Sequence, residues 1–175
     1  GAVGLFHLAG TTPEAPTEDE ACQGQPPVER IVVTLDMVHE ARRRLSTAER
    51  ADRVDAIAVG SPHLSLEEFD AMRQCLNGRT TAVPIYACTG RHVLRILERD
   101  GHRQQLESQG VVIVADTCVV VTPILPEKAG AVLMTNSGKF AHYAPGNTGY
   151  AVLYGSMADC VESAVAGVPV FGAAR

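Results

Sequence analysis

Apolar residues recur along this chain in two rhythms, short continuous runs and helical spacing, and the two alternate. The runs Arg30–Leu35, Val54–Gly60, Val83–Ala87, Val111–Ala115, Ala131–Met134 and Tyr150–Tyr154 read as strands. Asp36 is placed to cap a helix through Leu45. Ser65 and Glu68 form a capping box for a helix on which Leu66, Phe69, Met72 and Leu76 share one face. A third helix starts at Thr89 or Gly90, buries Val93, Leu94 and Leu97, and breaks at Gly101, with a further turn or two from His102 to Gln109. Ser156 and Asp159 cap a last helix that Gly167 and Pro169 stop. Pro84 puts its strand near an edge or at a strand start. Ser61-Pro62-His63 reads as a turn, Pro145–Gly149 as a loop, and residues 11–29, rich in proline and acidic residues, as an irregular surface connection.

Continuous apolar strands alternating with amphipathic helices predict a doubly wound α/β domain, with a mostly parallel sheet and helices on both faces. The 175 residues suit a single domain. The apolar opening GAVGLFHLAG, with no initiator Met, predicts a portion of a larger multidomain protein.

Composition narrows the function classes. A net charge of −5 and one short cluster, Arg42-Arg43-Arg44, give no nucleic-acid footprint. No apolar run is long enough to span a bilayer, so no membrane role is expected. The five cysteines, Cys22, Cys75, Cys88, Cys118 and Cys160, are odd in number and contain no CxxC pair. That usage argues against a disulfide framework or zinc ribbon and predicts a reducing cytoplasm.

Chemistry gathers where strands end. In a parallel sheet, ligands bind beyond the carboxyl ends of the strands. Four such ends carry reactive groups: Ser61-Pro62-His63, Cys88-Thr89-Gly90-Arg91, Asp116-Thr117-Cys118 and Thr135-Asn136-Ser137. Cys118 is either a soft thiolate ligand for iron or a small buried hydrophobe. Ser61, Thr117 and Ser137 can bind a substrate carboxylate or hydroxyl, or serve as turn and capping hydroxyls. Asn136 is grouped with them as a substrate contact. Lys139 and Arg91 offer positive charge to an acidic substrate. His63 and His142 can carry protons near neutral pH, or be satisfied structural histidines. No Walker or GxGxxG pattern is present, which removes nucleotide binding.

The blocks GAVGLFHLAGTTPEAPT, GSPHLSLEEF, ADTCVVVTPI, MTNSGKFAHYAPGN and GSMADCVESAVAG together resemble aconitase X, a branch of the aconitase superfamily. The resemblance runs through nearly the whole chain. It implies an aconitase-domain-like fold and a hydro-lyase of a small hydroxy acid. Cis-3-hydroxy-L-proline, dehydrated to Δ1-pyrroline-2-carboxylate, is the first expectation, and a phosphomevalonate-type dehydration the alternative. It further implies an iron-sulfur cluster or related iron centre with Cys118 as a ligand. Ser61 takes a position that is cysteine in archaeal-type members. By the same resemblance Ser137, His63 and His142 are expected at the chemistry, and Ser61, Thr117, Asn136, Lys139 and Arg91 at the substrate. The expected partners are an N-terminal half of the catalytic region and a swivelling domain. A non-catalytic docking fragment and a metal-free binding module are the readings from other classes.

Overall fold

The computed structural model describes residues 5–48 and 50–172. Gly1–Gly4, the start of the apolar opening, lie outside them. The chain divides into two compact units, residues 1–38 and 39–175.

In the first unit Thr17 caps the short helix α1 (Glu18–Ala21), its side chain accepting from the Glu20 amide. Little else in residues 11–29 is regular, as the proline spacing predicts. The strand expected at Arg30–Leu35 does not form. Ile31, Val32 and Val33 are 65%, 82% and 69% exposed, and no strand among the described residues pairs with them. Their β-branched side chains favour a pleated, half-buried surface, and here there is no neighbouring strand to provide one. Helix α2 (Leu35–Arg44) follows. Asp36 lies inside its first turn, and the capping hydroxyl is that of Thr34, which accepts from the Met37 amide at 3.3 Å.

The second unit carries β1 (Ala56–Leu64), α3 (Leu66–Leu76), β2 (Ile85–Thr89), α4 (Arg91–Arg99), α5 (His102–Ser108), β3 (Val111–Ala115), β4 (Val132–Thr135), α6 (Gly138–Thr148), β5 (Ala151–Tyr154) and α7 (Met157–Ala166). The five strands are parallel, in the order β3-β2-β1-β4-β5. Strand alternation sorts the core into two layers. Ile57, Val59, Ile85, Ala87 and Met134 pack with Phe69 and Met72 of α3, Val93 and Leu97 of α4, Leu106 of α5 and Val161 of α7. Ala56, Ala58, Tyr86, Cys88 and Leu133 pack on the other face with Phe140, Ala141 and Ala144 of α6.

The chain leaves β1 toward β2 on one face and leaves β4 toward β5 on the other. Right-handed crossovers require that exchange of faces when the direction of travel reverses. The sheet therefore has its topological switch between β1 and β4. Pro84 sits just before β2, so it fits an interior strand as a strand start. Both predicted capping boxes form, at Ser65 with Glu68 and at Ser156 with Asp159. The Pro145–Gly149 loop is a correction: Pro145–Thr148 form the last turn of α6, and Gly149 caps it in the left-handed region. Pro145 lies in the last turn of α6, where its missing N–H removes a single ladder bond.

Asp55 joins the entries to β1 and β4. Its carboxylate accepts from the Val132 amide at 2.8 Å and pairs with Lys128 and Arg53. Burial pushes its pKa up, but the Lys128 and Val132 hydrogen bonds and the charges of Lys128 and Arg53 outweigh that and hold it below the ordinary value. A depressed carboxyl stabilises fully above its unfolded pKa of 3.8 and loses that contribution as pH falls through the lower folded value. The stability gap between wild type and Asp55→Asn, read from urea unfolding, is expected to be open at neutral pH. It should close as the pH falls from 3.8 through the lower folded value; a gap independent of pH would contradict the assignment.

Candidate active site

β1 is longer than its apolar run because the chain bulges and then rejoins the ladder. Val59 pairs with Ala87 and the next pair is Leu64 with Thr89, so Gly60–His63 stand out from the sheet. Gly60 has φ 76°, and a Cβ there would lie 2.6 Å from Leu64 Cγ and 2.9 Å from Leu64 N, with the Cys88 carbonyl oxygen closer still. Only glycine fits so tight a left-handed position. The Ser61–Pro62 peptide is cis. Behind the bulge, buried Thr89 donates its hydroxyl to the Leu64 carbonyl at 2.8 Å and closes the strand end.

The bulge carries Ser61 to the switch point. Its Oγ lies 3.3 Å from Cys118 Sγ, and its carbonyl accepts from Ser137 Oγ at 3.4 Å. Three residues from three different strand ends thus meet directly. Ser137 also caps α6, accepting from the Phe140 amide at 3.2 Å, which fixes where that helix begins. Cys88, at the end of β2, interacts with the Cys118 side chain. Burial pushes the Cys88 thiol up to about 11, against a lowering by the Val119 backbone hydrogen bond. Cys118 is half-buried and Cys88 fully buried.

A second group stands beside the first. Arg91 opens α4 and forms an ion pair with Asp116, Nε to Oδ2, at 2.7 Å. His63 lies over Gly90, where a methyl group would come within 3.9 Å of its Nδ1, and the His92 ring lies closer still to that glycine. Thr117 hydrogen-bonds the Thr122 hydroxyl at 2.5 Å, within the loop that presents Cys118. Asn136 is half-buried between β4 and α6. Lys139 and His142 project from the exposed side of α6, one turn apart, with His142 edge-on to Tyr143.

Of the residues expected from sequence, Ser61, Cys118 and Ser137 are in contact, and Arg91 and His63 share the adjoining strand ends. Lys139 and His142 are a helix face apart from any such contact. Asp116, at a strand end the sequence marks as reactive, and His92 also lie here. The adjacency of His92 to Arg91 was the available signal for it, and the left-handed backbone of Asp116 leaves no signal in sequence. Cys88 ends its strand as the sequence predicts, and its contact with Cys118 depends on register between β2 and the loop after β3.

Among the described residues no three His, Cys, Asp or Glu side chains converge as a metal site. The donors that do converge are two thiols and one hydroxyl. Sulfur donors at a rigid strand end suit iron, so Cys118 and its neighbours fit part of an iron coordination set.

A parallel sheet with a polar carboxyl edge at its switch point defines an α/β ligand-binding or catalytic domain. Residues 54–166 match the aconitase X third domain, and the chain belongs to the aconitase X family. It is 38% identical over 170 residues to the cis-3-hydroxy-L-proline dehydratase of Pseudomonas aeruginosa, covering 95% of this chain and 29% of that protein. It is 36% identical over 157 residues to the phosphomevalonate dehydratase large subunit of Methanothermobacter thermautotrophicus, covering 88% of this chain and 37% of that one. The crystal structure of holo-form aconitase X from Thermococcus kodakaraensis matches with a TM-score of 0.66 at 25% identity, over 79% of this chain and 36% of that one. The chain thus spans about a third of the length of these relatives. No described helix is long and apolar enough to cross a membrane.

Proposed function

We propose that this chain forms part of the active site of a hydro-lyase that dehydrates a small hydroxy acid, with cis-3-hydroxy-L-proline as substrate. The contact of Ser61, Cys118 and Ser137 at the sheet's switch point carries this reading. The names of the relatives support the reaction class, and the hydroxyproline relative is somewhat more similar than the phosphomevalonate one. The remaining coordination and the catalytic base come from the parts that relatives carry beyond this region.

Cys118 would hold an iron centre, with Ser61 and Cys88 beside it. Bound there, iron supplies the Lewis acidity that helps a poor hydroxide leaving group depart. The residues of this chain do the rest of their work by binding and orientation. Ser61 presents its hydroxyl to the substrate from the Gly60 bulge, and Ser137, whose own O–H donates to the Ser61 carbonyl and whose oxygen caps α6, holds it there. Arg91 offers a fork for the substrate carboxylate. His63, at the adjoining strand end, would serve as a proton relay, and Lys139 and His142 would act from the exposed side of α6. A reducing cytoplasm is proposed for the enzyme from its odd number of cysteines without a CxxC pair.

The test is turnover of cis-3-hydroxy-L-proline by the complete enzyme, reconstituted with iron without oxygen. Formation of Δ1-pyrroline-2-carboxylate is the expected result. Turnover of a phosphorylated hydroxy acid instead would move the substrate assignment to the archaeal type. Inertness toward both would remove the hydro-lyase reading.

A further inference from the structure

Asp116 is a non-glycine residue in the left-handed region, at φ 57°, where side chains other than Asn and Asp are rare. Three interactions hold it. Its amide donates to the Thr89 carbonyl at 2.9 Å, extending the β2–β3 ladder by one step. Its Oδ1 accepts from the Arg91 amide at 2.8 Å, satisfying an N–H at the start of α4. Its Oδ2 forms an ion pair with Arg91, 2.7 Å from Nε. One carboxylate therefore grips a single residue by backbone and side chain together.

The atom it chooses matters. A guanidinium has five N–H donors, and engagement through Nε leaves both terminal nitrogens available. Those form the fork that matches a carboxylate. The pair is 68% and 41% exposed, so it adds little to stability, and orientation is its main effect. Two residues further on the same loop reaches Cys118, against Ser61. The backbone reversal at Asp116 is what turns the chain off β3 toward that contact.

We infer that Asp116 is a positioning residue: it aims the terminal fork of Arg91 and pins the loop that delivers Cys118. The fork's ligand, a substrate carboxylate, rests on the hydro-lyase reading; the pinning does not. Two variants separate the roles. Asp116→Asn keeps an acceptor for the Arg91 amide and tolerates the left-handed backbone, but loses the charge that binds Nε. Asp116→Gly keeps the backbone freedom and loses both contacts.

In this 175-residue chain, solvent exchange of the Arg91 Nε–H, followed by NMR, should quicken at least about tenfold in both variants. Alkylation of Cys118 by a thiol reagent should quicken in Asp116→Gly and not in Asp116→Asn. In the complete enzyme, Asp116→Asn should raise KM about tenfold or more with kcat nearly unchanged, and Arg91→Ala should add little to it. Unchanged Nε–H exchange, or equal Cys118 reactivity in all three proteins, would overturn the positioning role. Additive effects of the two substitutions on KM would overturn the aiming of the fork. If the wild-type enzyme turns over no hydroxy acid, the proposed function fails, while the exchange and alkylation measurements still decide the role of Asp116.

Discussion

Replacing Cys118 with alanine in the complete enzyme is expected to abolish both iron binding and dehydration. Loss of a partner around a metal ligand commonly costs ~10–100-fold, and loss of a ligand should cost at least that. The substitution removes a half-buried thiol whose contacts are Ser61 and Cys88, so the sheet beneath should fold as before. Cys160→Ala is the comparison. That residue is fully buried in α7, in the core layer on the opposite face, and its loss should lower stability while leaving iron content unchanged. Iron analysis and the visible spectrum of the anaerobically prepared proteins read the result apart from activity. Full iron content in Cys118→Ala would take that residue out of the metal site.

The second large effect is structural and falls on Gly60. A methyl group there meets Leu64 and the Cys88 carbonyl in a backbone conformation that L-residues rarely adopt. Left-handed strain and overpacking each cost ~1–3 kcal/mol, so Gly60→Ala should destabilise the chain by roughly 2–6 kcal/mol. For a chain of this size that lowers Tm by about 5–15 °C. Where the variant still folds, the bulge must shift, and Ser61 moves with it. Loss of the Ser61–Cys118 contact should then appear as faster Cys118 alkylation even at temperatures where the sheet is intact. A Tm within a degree or two of wild type would mean that the bulge is not held as the structure shows.

Much of the architecture was legible because the layers depend on periodicity. The two-residue alternation of Ile57 and Val59 against Ala56 and Ala58, and the helical spacing of Phe69, Met72 and Leu76, report burial directly. The capping boxes are local chemistry and were readable for that reason. Arg30–Leu35 misled because β-branched residues signal suitability for a sheet and say nothing about whether a neighbouring strand exists. Helix α6 was hidden by Pro145 and two glycines, and by a start that depends on Ser137 acting as a cap while also bonding the β1 bulge. The grouping of the site at strand ends followed from the parallel sheet. The individual contacts did not, since Ser61 meets Cys118 only after the chain bulges out of the ladder and Asp116 reverses it.

The strand order also bears on how the site comes into being during synthesis. β1, β2 and β3 are consecutive in the chain and pair as neighbours, so half of the sheet can close over α3, α4 and α5 while the rest is still being made. The Asp116–Arg91 grip and the Ser61–Cys118 contact belong to that early half. Ser137 arrives only with β4, which must insert along the open side of β1, far along the chain from its partner, and such distant pairings form slowly. Until it does, the central strand presents an unpaired edge beside a thiol, which makes the nascent half-sheet the stage most exposed to aggregation and to oxidative damage.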